Sequence, residues 1–333
     1  MRRRAPVPPS PLPQRAGIDP VRLRLPPDPD GAWPDLGGYL AAHYAGGPGA
    51  EAIARLLAAG RVLGPAGRVL RAGDPYEPGA YLWFHRDLPA EPVVPFPVRV
   101  VHRDPHLLVV DKPHFLATTP RGSHVTQTAL ARLREELELP ELSPAHRLDR
   151  LTAGLVMFSI RPADRGAYQL LFQRRQVHKE YEALAPYDPR IDLPRTVRSR
   201  IEKTRGVIAA TEVPGGEPNA ESLIELTGTR GGLGRYRLTP HTGRTHQLRV
   251  HMNGLGLPIL GDPVYPRVTD PAPDDYRRPL QLLARVLAFT DPVTGTAHRF
   301  ESGLALQAWH DLPGWEAGTG PGSATGVGAG ENL

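Results

Sequence analysis

The chain has 333 residues, enough for one large domain with a smaller companion, and 40% hydrophobic residues supply a sizeable core. It contains no cysteine, which excludes disulfides, thiolate metal sites and a cysteine nucleophile. It also has no apolar run of 18 residues, which predicts no membrane-spanning helix. Net charge is +5 and almost all of the positive charge is arginine, with lysine only at Lys112, Lys179 and Lys203. That balance suits a polyanionic partner, nucleic acid first, although the preference for arginine over lysine also fits a GC-rich genome.

Residues 1–30 are rich in Pro and Arg and read as a disordered or extended arm. The opening "MRRRAPVPPSPLPQ" has a basic start with no apolar core after it, so no secretory signal is expected. Residues 31–90 read as a small α+β module: "LGGYLAAHY" and "AEAIARLLAAGRV" have helical apolar spacing, Gly60 is a helix stop, and "GAYLWFHRDL" reads as a strand. "PAEPVVPFP" is a Pro-punctuated linker.

A second domain is expected over 95–312. "VRVVH" and "LLVVD" read as strands around an Asp-Pro turn, "QTALARLREELEL" as an amphipathic helix, "GLVMFSI" as a strand and "ADRGAYQLLFQRRQV" as a helix. "KEYEALAP", "TVRSRIEKT", "SLIELTGT" and "RYRLTPH" follow as strands in hairpin-like succession. "HQLRVHMNGLG" is helical by its apolar spacing, and "LLARVLAFTDPVTGTAHRFE" closes with two strands. Runs of strands with interspersed helices predict an α+β fold with a mixed, mostly antiparallel sheet. The Gly-rich stretch 313–333 reads as a flexible tail.

Three stretches could carry chemistry. In "PAHRLDRLTAGLVMF" Asp149 stands between Arg147 and Arg150 at the mouth of an apolar strand, where guanidiniums favour a charged carboxylate. Such a group can act as nucleophile or base, although an Asp between arginines is ordinarily a solvated ion pair. In "TPHTGRTHQLRVHM", Thr242 or Thr245 is expected to cap a helix on which His246, Arg249 and Asn253 share one face, with Leu248 and Met252 toward the core. His246 and His251 diverge by about 140° on such a helix, so no metal site is expected. In "VHKEYEAL", Tyr181 is either strand packing or a surface on which a base stacks. "GDPVYP" reads as a turn built by Gly261, Asp262 and Pro263.

Taken together, "HLLVVDKP", "HRLDRLTAG", "KEY", "GRTHQLRVHM" and "LPILGDPVY", in that order over residues 100–300, resemble the RluA family of pseudouridine synthases. The resemblance implies a bent sheet flanked by helices. It implies Asp149 as the catalytic aspartate, Tyr181 stacked on the target uracil and helping to remove a proton, and Arg249 paired with Asp149. Arg147 would help open the RNA or hold the flipped nucleotide, and Leu248, Arg244 and His246 would shape the substrate pocket. It further implies ribosomal or transfer RNA as partner and no cofactor or metal; the lack of cysteine suits a cytoplasmic protein, and nothing in the sequence demands more than a monomer. The 31–90 module resembles the alpha-L RNA-binding module that precedes some catalytic domains. The sequence departs from the family at Ala153, where Ser is usual, and at "LLA", Leu282 to Ala284, where "LHA" is common. A non-enzymatic RNA-binding or ribosome-assembly factor and a metal-dependent hydrolase built on the histidines are the competing readings.

Overall fold

The computed structural model describes residues 7–45, 49–88 and 90–319. The chain divides into two compact units, Met1–Ala90 and Glu91–Leu333.

In the first unit, helices α1 (Leu36–His43) and α2 (Gly49–Ala58) accompany an antiparallel pair of strands, β1 (Val21–Arg24) and β2 (Tyr81–Phe84). Asp35 caps α1 by accepting from Gly38 N at 2.7 Å. Ile53, Leu56 and Leu57, at i, i+3 and i+4 on α2, close a core with Leu36, Leu40, Leu82 and Phe84. Gly60 stops α2 with φ of +65°. β1 lies inside the segment expected to be a disordered or extended arm: its Val-Arg-Leu-Arg alternation puts Val21 and Leu23 on the core side and pairs them with β2, so this part of the arm is extended and packed. Residues 1–6 of that arm lie outside the described residues.

The second unit is built on a ten-stranded sheet. β3 (Arg99–Arg103), β4 (Leu107–Lys112), β6 (Ala153–Ser159), β13 (Leu282–Thr290), β7 (His178–Pro186), β12 (Leu233–Pro240), β11 (Ala220–Arg230) and β8 (Arg195–Ser199) lie in that order. β5 (Ser143–Pro144) pairs with β6, and β14 (Ala297–Glu301) with β13. β9 (Ile201–Glu202) and β10 (Thr211–Glu212) form a separate short pair. Among the described strands every pair is antiparallel except β6 with β13, so the sheet is mixed and mostly antiparallel, as expected. Register shifts in the β3–β4, β7–β13 and β11–β12 pairs bend it.

Both faces are covered. Leu108 and Val110 of β4 and Val156 and Phe158 of β6 pack under α3 (Ala129–Glu136). The alternate residues Leu107, Val109, Leu155 and Met157 pack on α4 (Arg165–Gln173) through Tyr168 and Leu171. Burial on both sides explains why these strands read as unbroken apolar runs. α5 (Gln247–Gly254) seats Leu248 and Met252 against Ala183, Ile224 and Leu238. α6 (Gln307–His310) and α7 (Leu312–Ala317) end the described chain. α7 lies within the stretch expected to be a flexible tail; Trp315 anchors it, packing beside Leu184 and Leu283 and donating from Nε1 to Pro279 O at 3.2 Å. Residues 320–333 are outside the described residues.

Gly154 is required by the parallel pairing. Its φ is +110°, and a Cβ there would stand 2.3 Å from the carbonyl oxygen of Ala284, its partner on β13. Ala153, the departure from the family pattern, is fully buried in the cluster of Leu184, Leu283 and Trp315.

Candidate active site

Asp149 lies on the loop between β5 and β6, with its side chain 35% exposed. Three side chains, one from the end of β4 and two from the segment after it, pin this loop by its backbone. Thr118 Oγ1 donates to Leu148 O at 2.9 Å and accepts from Leu148 N at 3.1 Å. Lys112 Nζ donates to Arg150 O at 3.3 Å, and to Pro113 O and Leu116 O at 2.9 and 2.8 Å. His114 Nδ1 donates to Leu151 O at 2.8 Å. Burial lowers the Lys112 pKa to about 7 against the upward pull of the Asp149 charge, and pushes His114 down to about 4. "HLLVVDKP" flagged this region by resemblance, but no role could be given to Lys112, His114 or Thr118 from sequence.

The nitrogen groups facing the Asp149 carboxylate are not its neighbours in sequence. Arg249 Nη1 stands 3.7 Å and His246 Nε2 3.9 Å from Oδ2, while among the described residues neither Arg147 nor Arg150 makes an ion pair with it. Arg147 is exposed and Arg150 partly buried.

Arg249, only 3% exposed, has a tighter partner than Asp149. Its Nε and Nη2 donate to the two oxygens of Asp262 at 2.7 and 2.6 Å, and the Asp262 side chain is fully buried. Burial pulls the Arg249 pKa down, but the hydrogen bonds and charge of Asp262 outweigh it and hold the group above its ordinary value. Asp262 Oδ1 also accepts from Val264 N and Tyr265 N at 2.8 and 3.2 Å, so the turn read in "GDPVYP" exists and its carboxylate is in addition the anchor of Arg249. The Tyr265 ring lies 5.3 Å from the guanidinium carbon.

His246 is not on the helix face where its spacing placed it. It is the N-cap residue of α5 in the left-handed region, φ +57°, with no side-chain cap, and neither Thr242 nor Thr245 caps the helix. Thr242 instead donates to Gln247 Oε1 at 2.7 Å. The unusual backbone aims the ring between Asp149 and Tyr265. Tyr265 OH donates to the buried Ala210 O and accepts from Ala210 N, both at 2.8 Å. The 3.0 Å contact to His246 Nδ1 therefore carries the histidine's proton, and in the neutral ring the Nε2 lone pair faces Asp149. Burial lowers the His246 pKa while the Asp149 charge opposes it.

Tyr181, on β7, packs against both the cluster under α3 and the cluster under α5. Burial first, and then the Asp149 charge, raise its pKa, so the resting phenol is neutral. Leu248 is buried in the cluster against which Tyr181 and Leu151 pack. Arg244 is exposed and donates from Nε to Asn219 O at 3.1 Å. The other histidines of the segment go elsewhere: His251 Nε2 meets Ser199 Oγ at 3.1 Å and His241 is exposed. Among the described residues no group of three or more His, Cys, Asp or Glu is placed to hold a metal ion.

The arrangement brings one carboxylate, one ring and one buried guanidinium together from three distant stretches. Residues 106–254 match the family described as RNA pseudouridylate synthase. The chain is 32% identical over 224 residues to the dual-specificity RNA pseudouridine synthase RluA of Haemophilus influenzae, covering 63% of this chain and 94% of that protein. It is 36% identical over 183 residues to human pseudouridylate synthase RPUSD2, covering 54% of this chain and 33% of that longer protein. Human RNA pseudouridylate synthase domain containing 1 has the same fold, with a TM-score of 0.53, 23% identity, and coverage of 67% of this chain and 90% of that one. The chain belongs to the RluA family of RNA pseudouridine synthases.

Proposed function

We propose that the chain isomerises specific uridines to pseudouridine in structured RNA, large-subunit ribosomal RNA first and transfer RNA second, with Asp149 as the catalytic carboxylate. The observation that carries this reading is the Asp149 side chain, part exposed, set 3.7 Å from the buried Arg249 and 3.9 Å from His246. The reaction breaks the N1–C1′ bond, turns the base, joins C5 to C1′, and exchanges the C5 proton for one on N1. Atoms balance with no change of oxidation state.

The target base must leave its stack to reach Asp149. Tyr181 offers its ring to the extruded uracil; once Asp149 is engaged and its charge no longer raises the Tyr181 pKa, the hydroxyl yields its proton to solvent and the phenolate takes the C5 proton. Arg249, fixed by Asp262, sets the field at the carboxylate. Arg147 holds the displaced nucleotide, and Arg244, His246 and Leu248 bound the space around it. A ribosomal or transfer RNA substrate implies a cytoplasmic location.

The test is tritium release from uracil-5-tritiated RNA together with a transcriptome-wide pseudouridine map in cells with and without the gene. The expected result is release by the wild-type protein, its loss in Asp149→Asn, and the disappearance of discrete sites from ribosomal or transfer RNA. Full turnover by Asp149→Asn would remove the assignment of the carboxylate.

A further inference from the structure

A groove of about 720 Å³ opens on the second unit, walled by the end of α4 and by parts of β7, β11, β12, β13 and β14. None of Asp149, Tyr181, His246 or Arg249 lines it. Its size falls within the ~300–1,000 Å³ typical of small-molecule sites. Its lining combines two cations, Arg175 and Lys179, and the imidazoles of His241 and His298 with the flat apolar rings of Phe172 and Phe289.

Two of its charges have no hydrogen-bonded counter-ion. The side chain of Lys179 makes no hydrogen bond or ion pair among the described residues, and neither does that of Arg175. The two nonetheless sense each other, since burial and then the Arg175 charge push the Lys179 pKa down. The acid on the lining, Glu221, is hydrogen-bonded by Arg198 Nε at 2.8 Å and feels Arg175 and His241 more weakly, with no ion pair to either among the described residues. His178 is engaged by Glu180 at 2.8 Å. Arg175 is moreover held in the left-handed region, φ +58°, at the end of α4, where Gly or Asn is the unstrained choice. Two like charges crowded in a groove, one on a strained backbone, leave a deficit of negative charge that a phosphate fills.

The groove also shares a wall with the catalytic loop. His146, three residues before Asp149, stacks on Phe172 with ring centres 4.3 Å apart, and its Nε2 accepts from Met157 N at 3.1 Å.

We propose that this groove holds a backbone phosphate and adjoining nucleotide of the substrate RNA away from the target uridine, with Arg175 and Lys179 as the phosphate donors and Phe172 and Phe289 as apolar walls. The proposal rests on the synthase reading above. The occupant follows from charge complementarity and from the polyanion that the enzyme already has to hold, since phosphate contacts position a nucleic acid without reading its sequence.

The test uses the full-length protein and whichever ribosomal or transfer RNA transcript the wild type modifies. Arg175→Gly removes the charge at a position whose backbone suits glycine; Lys179→Met removes the second charge and Lys179→Arg keeps it. Each neutral variant should raise Kd and KM roughly tenfold at 0.15 M salt, with kcat within about twofold. The slope of log Kd against log salt should shrink by about 0.7–0.9 for each phosphate left without its cation. Lys179→Arg should stay within about threefold of wild type in Kd. Wild-type Kd and salt slope in both neutral variants would overturn the proposal. So would a fall in kcat at unchanged Kd, which means a displaced β7, or loss of an acidic protein partner with RNA binding intact. A wild type that modifies no transcript removes the synthase reading, and the groove assignment falls with it.

Discussion

Arg249 and Asp262 meet through two hydrogen bonds, 2.7 and 2.6 Å long, in a pair withdrawn from solvent, and Asp149 sits 3.7 Å from the remaining guanidinium nitrogen. The cation that faces the candidate catalytic carboxylate is thus held by a second carboxylate, which leaves one Nη edge for the site. Asp262→Ala leaves a buried, uncompensated charge and should destabilise the protein by about 3–5 kcal/mol. Displacement of the guanidinium should lower kcat by about 10²-fold. The double variant Arg249→Met, Asp262→Leu should recover most of the stability and none of the activity; urea titrations beside tritium release separate the two effects.

The backbone of the Asp149 loop depends on Thr118, which both donates to and accepts from Leu148. Thr118→Val keeps the shape and orphans both groups, so a loss of about 1–3 kcal/mol is expected. Thr118→Ser should stay close to wild type. If the Val variant keeps wild-type kcat, the pin does not govern the position of Asp149.

Tyr181→Phe retains the ring and removes the hydroxyl. RNA affinity should hold within about threefold while kcat falls by about 10²–10⁴. Tyr181→Ala should in addition weaken binding by the roughly 1–3 kcal/mol of a lost stacking surface. Equal kcat in Phe and wild type would leave the ring as a platform alone.

Acid should destabilise the fold through three histidines. Burial lowers the pKa of His114 and His251 to about 4 and of His146 to about 3. The unfolded chain protonates each near 6.5. Between those values the unfolded state binds more protons, so stability rises with pH across the window: it is fully present above about pH 6.5 and is lost as pH falls toward 3–4. Urea midpoints from pH 7 to pH 4 should fall accordingly, and His251→Gln, which cannot titrate, should show the slope reduced by about one proton.

Much of this was legible because periodicity writes local structure directly. Leu248 and Met252 pointed inward at helical spacing, and the apolar runs of β4 and β6 announced strands, which the fold buries on both sides. What stayed hidden has physical reasons. The left-handed backbone of His246 leaves no trace in a non-glycine sequence. Asp262 read as a turn former because its pairing with Arg249 exists only once α5 and the following turn fold against each other. β1 was masked by the prolines around it, and α7 by the glycines, although Trp315 was the one residue of that tail that could bury a large surface.

The matched family region ends at residue 254, but the counter-charge of Arg249 lies at 262, and the strand alongside Gly154 begins at Leu282. A protein shortened to the matched region would therefore keep every proposed catalytic side chain and lose what holds two of them still. A fragment that keeps these supports must run at least through β13, and fragments drawn from the sequence match alone should be recovered as insoluble or inert chains.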